Sequence, residues 1–212
     1  MKFDFNRALK WSSIDNLIKL GYSFFVPIIL ARLLGPEPYG IIAMAYVVVG
    51  LSQVFIEFGV GDAIVRSRKI NDEFLSSIFW FNFGIGTLVF LTILLITPFV
   101  TDYFQEEILN KLIPILSSLI FFQVVTIVIS ALMRRKGDFY SIAKASFISK
   151  LIASILAIVL AINDYGIYSI VALTVSQVII YSIVLLWIYQ WFPSLVFKVG
   201  EIASVIKFTL SI

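Results

Sequence analysis

At 212 residues, 60% of them hydrophobic and only 14% charged, the chain is too apolar for a soluble globular domain, where about 45–50% apolar content is usual; its mean hydropathy is +1.02. Cysteine and histidine are absent, which excludes disulfide frameworks, thiol nucleophiles, imidazole bases and the commonest transition-metal sites. The net charge of +3 is spread over helix ends instead of being gathered in one patch, so it reports topology in a membrane and gives no reason to expect a nucleic-acid partner.

A helix needs about 20 apolar residues to cross the hydrocarbon layer of a bilayer. Runs of that kind follow one another at 11–34, 39–60, 74–100, 110–133, 142–162 and 167–191. The expected fold is all-α: a polytopic transmembrane bundle of six helices over residues 1–191. A linker and the truncated start of a seventh helix follow at 192–212. Lys2, Arg7 and Lys10, then Arg66, Arg68 and Lys69, then Arg134, Arg135, Lys136 and Lys144 fall on alternate connections. The positive-inside rule places those connections and the N-terminus in the cytoplasm. The opening MKFDFNRALK lacks the apolar core and small-residue cleavage site of a signal peptide, so the first span is expected to stay in the membrane.

In the first helix a 100° step gathers Ser12, Asp15, Asn16, Lys19, Tyr22 and Ser23 into an arc of roughly 120°. An ionised side chain deep in a bilayer costs at least about 2.5–3.5 kcal/mol, so such a stripe faces either a cavity or a partner. An Asp15 to Lys19 ion pair one turn apart would be the purely structural solution. Pro27 predicts a bend. Gly35, Pro36 and Pro38 end the helix and predict a tight hairpin, with the first two helices as antiparallel neighbours.

The second helix carries a narrower stripe of Tyr46, Gly50, Gln53 and Glu57, its carboxylate either lining a cavity or reaching toward Arg66 or Arg68. GVGDAIVRSRKINDE, from Gly59 to Glu73, reads either as a short interfacial helix or as a charged loop. In the fourth helix Gln123, Thr126 and Ser130 read as interhelical hydrogen-bonding residues, as do Thr174, Gln177 and Tyr181 in the sixth. Lys150, in the fifth, shares its face with Ala143, Ser146, Ala153, Ser154 and Ala157. Small residues let helices approach closely, so this lysine is expected to point into protein. No phosphate-cradling loop, nucleophile elbow or metal-ligand cluster is present, and neither enzymatic machinery nor a cofactor site is visible.

Four strings, LARLLGPEPYG from Leu30, VFIEFGVGDAIVRSR from Val54, FWFNFGIGTLVF from Phe79 and ALMRRKGDFYSIAKA from Ala131, give the chain a recognisable likeness. In their order it resembles the N-terminal lobe of polysaccharide exporters of the lipopolysaccharide, O-antigen and colanic-acid type, within the multidrug/oligosaccharidyl-lipid/polysaccharide flippase superfamily. The resemblance covers nearly the whole chain. It implies one of two six-helix lobes around a central cavity, the missing C-terminal lobe being its partner. It also implies movement of an undecaprenyl-pyrophosphate-linked oligosaccharide across a bacterial inner membrane by alternating access, beside the glycosyltransferases and polymerase of the same pathway.

Cations lining such a cavity meet the pyrophosphate, and here the candidates are Lys19, Arg32 and Lys150. Of these Arg32 lies within LARLLGP, and pairing with Glu37 is its structural alternative. Asp15 and Glu57 are candidates for a coupling ion, and Ser12, Asn16, Tyr22, Tyr46 and Gln53 for the cavity wall. Two other functions fit the residues: a multidrug or cation antiporter of the same superfamily, and a non-transporting scaffold of a polysaccharide synthase complex.

Overall fold

The computed structural model describes residues 5–56, 60–67, 70–198 and 200. Glu57 lies outside them, as does the expected start of a seventh helix, and the side chains of Ser12, Asp15, Lys19 and Gln53 are also outside the description. All regular structure among the described residues is helical: α1 (Phe5–Leu34), α2 (Glu37–Ile56), α3 (Val60–Arg66), α4 (Asp72–Phe104), α5 (Leu109–Ser117), α6 (Ile120–Arg135), α7 (Phe139–Ile162) and α8 (Ile167–Tyr189). Four units, α4, α5 with α6, α7 and α8, are long and apolar enough to cross a membrane, and Leu20–Leu34 and Glu37–Gly50 add shorter apolar stretches. The protein is a polytopic helical membrane bundle.

Helix ends follow local chemistry. Gly35 stops α1 at φ 79°, a conformation costly for any residue with a Cβ, and its N–H donates to the Ala31 carbonyl at 3.0 Å. Asn71 caps α4 by accepting from the Phe74 N–H at 2.8 Å, and Asp72 and Glu73 then meet the positive end of the helix dipole. Asp138 caps α7 in the same way.

The short charged connection resolves in favour of helix. α3 buries Ala63 and Ile64 and packs on α6, whose Arg135 donates through Nη1 to the carbonyls of Ile64, Val65 and Ser67. One guanidinium thus satisfies carbonyls that a seven-residue helix leaves open at its C-terminus. The bundle end holding α3 is called the α3 end below.

Two expectations about packing change. α1 and α2 are joined by the tight hairpin, and Tyr39 Oη donates across it to the Pro27 carbonyl at 2.9 Å, but the two helices otherwise barely touch. α1 lies instead along α7, where Val26 and Leu30 seat on Ala153, Ala157 and Ala161, while α2 packs on α4 and α5. The alanine ridge offers α1 a closer approach than α2 does, and close approach is what holds helices together in lipid.

The single run expected at 110–133 is broken at Ser118 and Leu119 into α5 and α6. Ser117 and Ser118 turn their hydroxyls back to the carbonyls of Pro114 and Ile115, tightening the backbone where Pro114 has already removed a donor. These two helices nonetheless form the most buried of the four long spans, and α4 the least. The main core lies around them: Leu112, Ile113, Leu116, Ile120, Val124 and Val128 meet Ile78 and Phe79 of α4 and Ile42 and Ala45 of α2. Gly86 brings α4 so near α6 that an added Cβ would stand 2.8 Å from Ile120 Cγ2.

Candidate functional site

α1, α7 and α8 enclose a polar seam, with α2 at its edge. Lys150 sits midway along α7 and is only 8% exposed, on a face otherwise made of buried Ala143, Ser146, Ala153 and Ala157. Small neighbours leave room for its long stem, and the Ser154 hydroxyl is occupied by the Lys150 carbonyl one turn back. The Lys150 ammonium stands 5.1 Å from the centre of the Tyr22 ring, which comes from α1. A cation over an aromatic face is stabilised by about 0.5–2 kcal/mol, more as water is excluded. The sequence expectation that this lysine points into protein is met.

Tyr22 is itself held from the other side. Its hydroxyl donates to Gln177 Oε1 of α8 at 2.6 Å. One turn earlier on α8, Thr174 Oγ1 shares a 2.6 Å hydrogen bond with the hydroxyl of Tyr46 from α2. The hairpin arms α1 and α2 therefore each place one tyrosine on the same stretch of α8. This makes Gln177 and Thr174 the interhelical residues they were expected to be. Gln123, Thr126 and Ser130 of α6 differ: the Thr126 and Ser130 hydroxyls bond back to carbonyls of their own helix, Gln123 O and Ile127 O, and so tie no neighbour.

Of the candidate residues, then, Tyr22 and Lys150 are in contact, and Tyr46 joins them through α8. Asn16 is exposed on α1, as is Ser23, whose hydroxyl returns to the Leu20 carbonyl. Ser12, Asp15 and Lys19 lie on the same helix within three turns of Tyr22, and Gln53 lies on α2 beyond Tyr46. Arg32 is exposed in the last turn of α1, and among the described residues it forms no ion pair with Glu37. Ten residues of helix separate it from Tyr22, about 15 Å of rise, so it does not share the Lys150 seam.

Two polar features escaped the sequence reading. Asn82 of α4 is 1% exposed with neither amide atom hydrogen-bonded, and the helical period gives no warning of it because Asn82 sits amid apolar neighbours. Ser76, Ser77 and Trp80, in the first turns of α4, bond to the segment that follows α8. Only the folded chain brings those distant stretches together.

The sequence matches the family described as polysaccharide biosynthesis protein over residues 29–212. It is 26% identical over 203 residues to the succinoglycan biosynthesis transport protein ExoT of Rhizobium meliloti, covering 96% of this chain and 41% of that protein. With the lipopolysaccharide biosynthesis protein WzxC of Escherichia coli K12 it shares 27% identity over 108 residues, 51% of this chain and 22% of the relative. The teichuronic acid biosynthesis protein TuaB of Bacillus subtilis is 24% identical over 163 residues, or 74% of this chain and 33% of its own length. The chain thus spans less than half the length of these relatives. No solved structure matches it.

Proposed function

The chain belongs to the polysaccharide biosynthesis protein family, and from that premise we propose that it is one lobe of a polysaccharide exporter that carries a lipid-linked oligosaccharide across a bacterial inner membrane. The buried ammonium of Lys150 on Tyr22 is the observation that carries this reading. A lysine is expensive in the middle of a membrane helix and is kept where it meets a polar partner or lines a polar path. A pyrophosphate head needs a cation: fixed cations stabilise a dianion strongly where dielectric is low.

The chemistry of transport is then a change of partners. Lys150 rests on the Tyr22 face while the site is empty of anion and moves onto phosphate oxygen when the head enters, with Lys19, one turn from Tyr22 on α1, as a second cation. Arg32, near the hairpin, would meet the head at another stage of its passage. The lipid tail remains in the bilayer, no covalent bond changes, and a second lobe completes the cavity and rocks against this one. Asp15 and Glu57 serve as coupling-ion candidates, and the N-terminus and the α3 end face the cytoplasm, where Arg66, Arg134, Lys136 and Lys144 lie.

In the full-length protein, Lys150→Ala is expected to cut surface polysaccharide by at least about tenfold, equivalent to about 1.4 kcal/mol, at an unchanged membrane level. Lys150→Arg, which keeps a cation, should restore part of it. Normal export from Lys150→Ala would remove the lysine from the substrate path. A scaffold of a synthase complex would behave that way, since helix packing alone tolerates alanine on an alanine face.

A further inference from the structure

After Tyr189 the chain does not leave the bundle. Gln190 closes α8 in the left-handed conformation at φ 47°, and the next residues run along the first turns of α4 without regular structure, bending at Leu195. Trp191 packs edge-on against Phe79, their ring centres 6.1 Å apart. Ser194 then meets α4 through three groups: its N–H donates to Ser76 Oγ at 2.9 Å, its hydroxyl shares a 2.9 Å bond with the same oxygen, and its carbonyl accepts from Trp80 Nε1 at 2.8 Å. Four residues on, the Lys198 N–H donates to Ser77 Oγ at 2.9 Å and its ammonium pairs with Glu73.

The arrangement is specific on both sides. Ser77 spends its own proton on the Glu73 carbonyl and keeps its lone pairs for Lys198, and the two α4 serines are at most 1% exposed beneath the segment. Phe192, Leu195 and Phe197, the residues between the contacts, are exposed on the other side. A segment without regular structure has no ladder of its own to satisfy its backbone, so backbone groups held by side chains of a neighbouring helix mark it as part of the fold. The ion pair adds little, since both its side chains are about half exposed.

We propose that residues 191–198 are a fixed tether: they stay on α4 throughout the protein's working cycle, so that the chain is handed on from the α3 end of α4 and not from the end of α8. The eight residues after Gln190 cross from α8 to α4, and Lys198 ends the crossing beside Glu73 in the first turn of α4. That the handed-on portion moves at all rests on the transport reading above; that the tether is fixed does not.

Two measurements on the full-length protein, with any other cysteine replaced, decide it. Ser76→Cys with Ser194→Cys places two thiols where the hydroxyls are 2.9 Å apart, within reach of a disulfide. Mild oxidation should cross-link this pair almost completely, with polysaccharide export the same before and after reduction. Failure to cross-link, or export blocked by the bridge and restored by reduction, overturns the tether.

Hydrogen exchange supplies an arm that needs no substrate. The amides of Ser194 and Lys198 should be protected in the parent, and Ser76→Ala with Ser77→Ala should speed their exchange about tenfold while the α4 amides beyond Phe83 hold their rates. Full exchange of both amides in the parent at the rate of an unprotected peptide would overturn the proposal. A parent protein that exports no polysaccharide would sink the transport reading and leave cross-linking and exchange to decide the tether.

Discussion

The two sides of this bundle solve the same problem by different means. Around α4, α5 and α6, helices are held by apolar interdigitation: a row of fully buried leucines and isoleucines on α5 and α6 meets α4, and Gly86 lets the backbones come close. Around α1, α7 and α8 a ridge of alanines seats α1, but the joints there include Tyr22 on Gln177, Tyr46 on Thr174 and the Lys150 ammonium on Tyr22. In lipid, apolar burial alone gives little drive for helices to associate, so shape does the holding on the first side and directed polar contacts share it on the second. Shape complementarity admits one arrangement. Hydrogen bonds between hydroxyl and amide ends can be exchanged for bonds to a polar ligand, which is why the candidate site lies on the second side.

The contrast can be broken most severely at Gly86. Gly86→Leu should destabilise the purified protein by about 1–3 kcal/mol, since the new side chain enters space already filled by Ile120 and Val124. Thermal unfolding in detergent measures it, and an unchanged midpoint would mean that the α4 to α6 contact is loose. A smaller loss is expected on the other side. Tyr22→Phe keeps the ring under Lys150 and removes only the hydroxyl, costing about 0.6–1.7 kcal/mol, and a double-mutant cycle with Gln177→Leu should show the two effects to be coupled. Strict additivity would dismiss the bond.

The smallest effect, and the one of opposite sign, belongs to Asn82→Leu. Because neither atom of that amide has a partner, an apolar replacement of similar size should leave stability unchanged or raise it slightly. A loss above about 1 kcal/mol would show that the amide is satisfied in the membrane, by water or otherwise.

Much of the frame was legible from residues that act locally. Gly35 with Pro36 marked the hairpin, the apolar runs marked the long spans, and the alanines and serines flanking Lys150 told which way that lysine points. What a one-dimensional pattern does not contain is the choice among distant partners. The hairpin suggested that α1 would lie on α2, yet the alanine ridge of α7, more than a hundred residues away in sequence, offered the closer seat. Tyr22 and Gln177 were both noticed as polar, but only folding puts them 2.6 Å apart. Ser76 and Ser77 looked like ordinary helix residues until Ser194 and Lys198 arrived beside them. The break at Ser118 was hidden because Pro114 and two serines lie within a run that stays strongly apolar on average.

That break gives the bundle a knuckle in its central column. α5 packs on α2 and α4, and α6 on α3, α8 and again on α4. The backbone is tightened at Ser117 and Ser118, where the two segments meet, and α4 lies against both of them, so it splints the knuckle along one side.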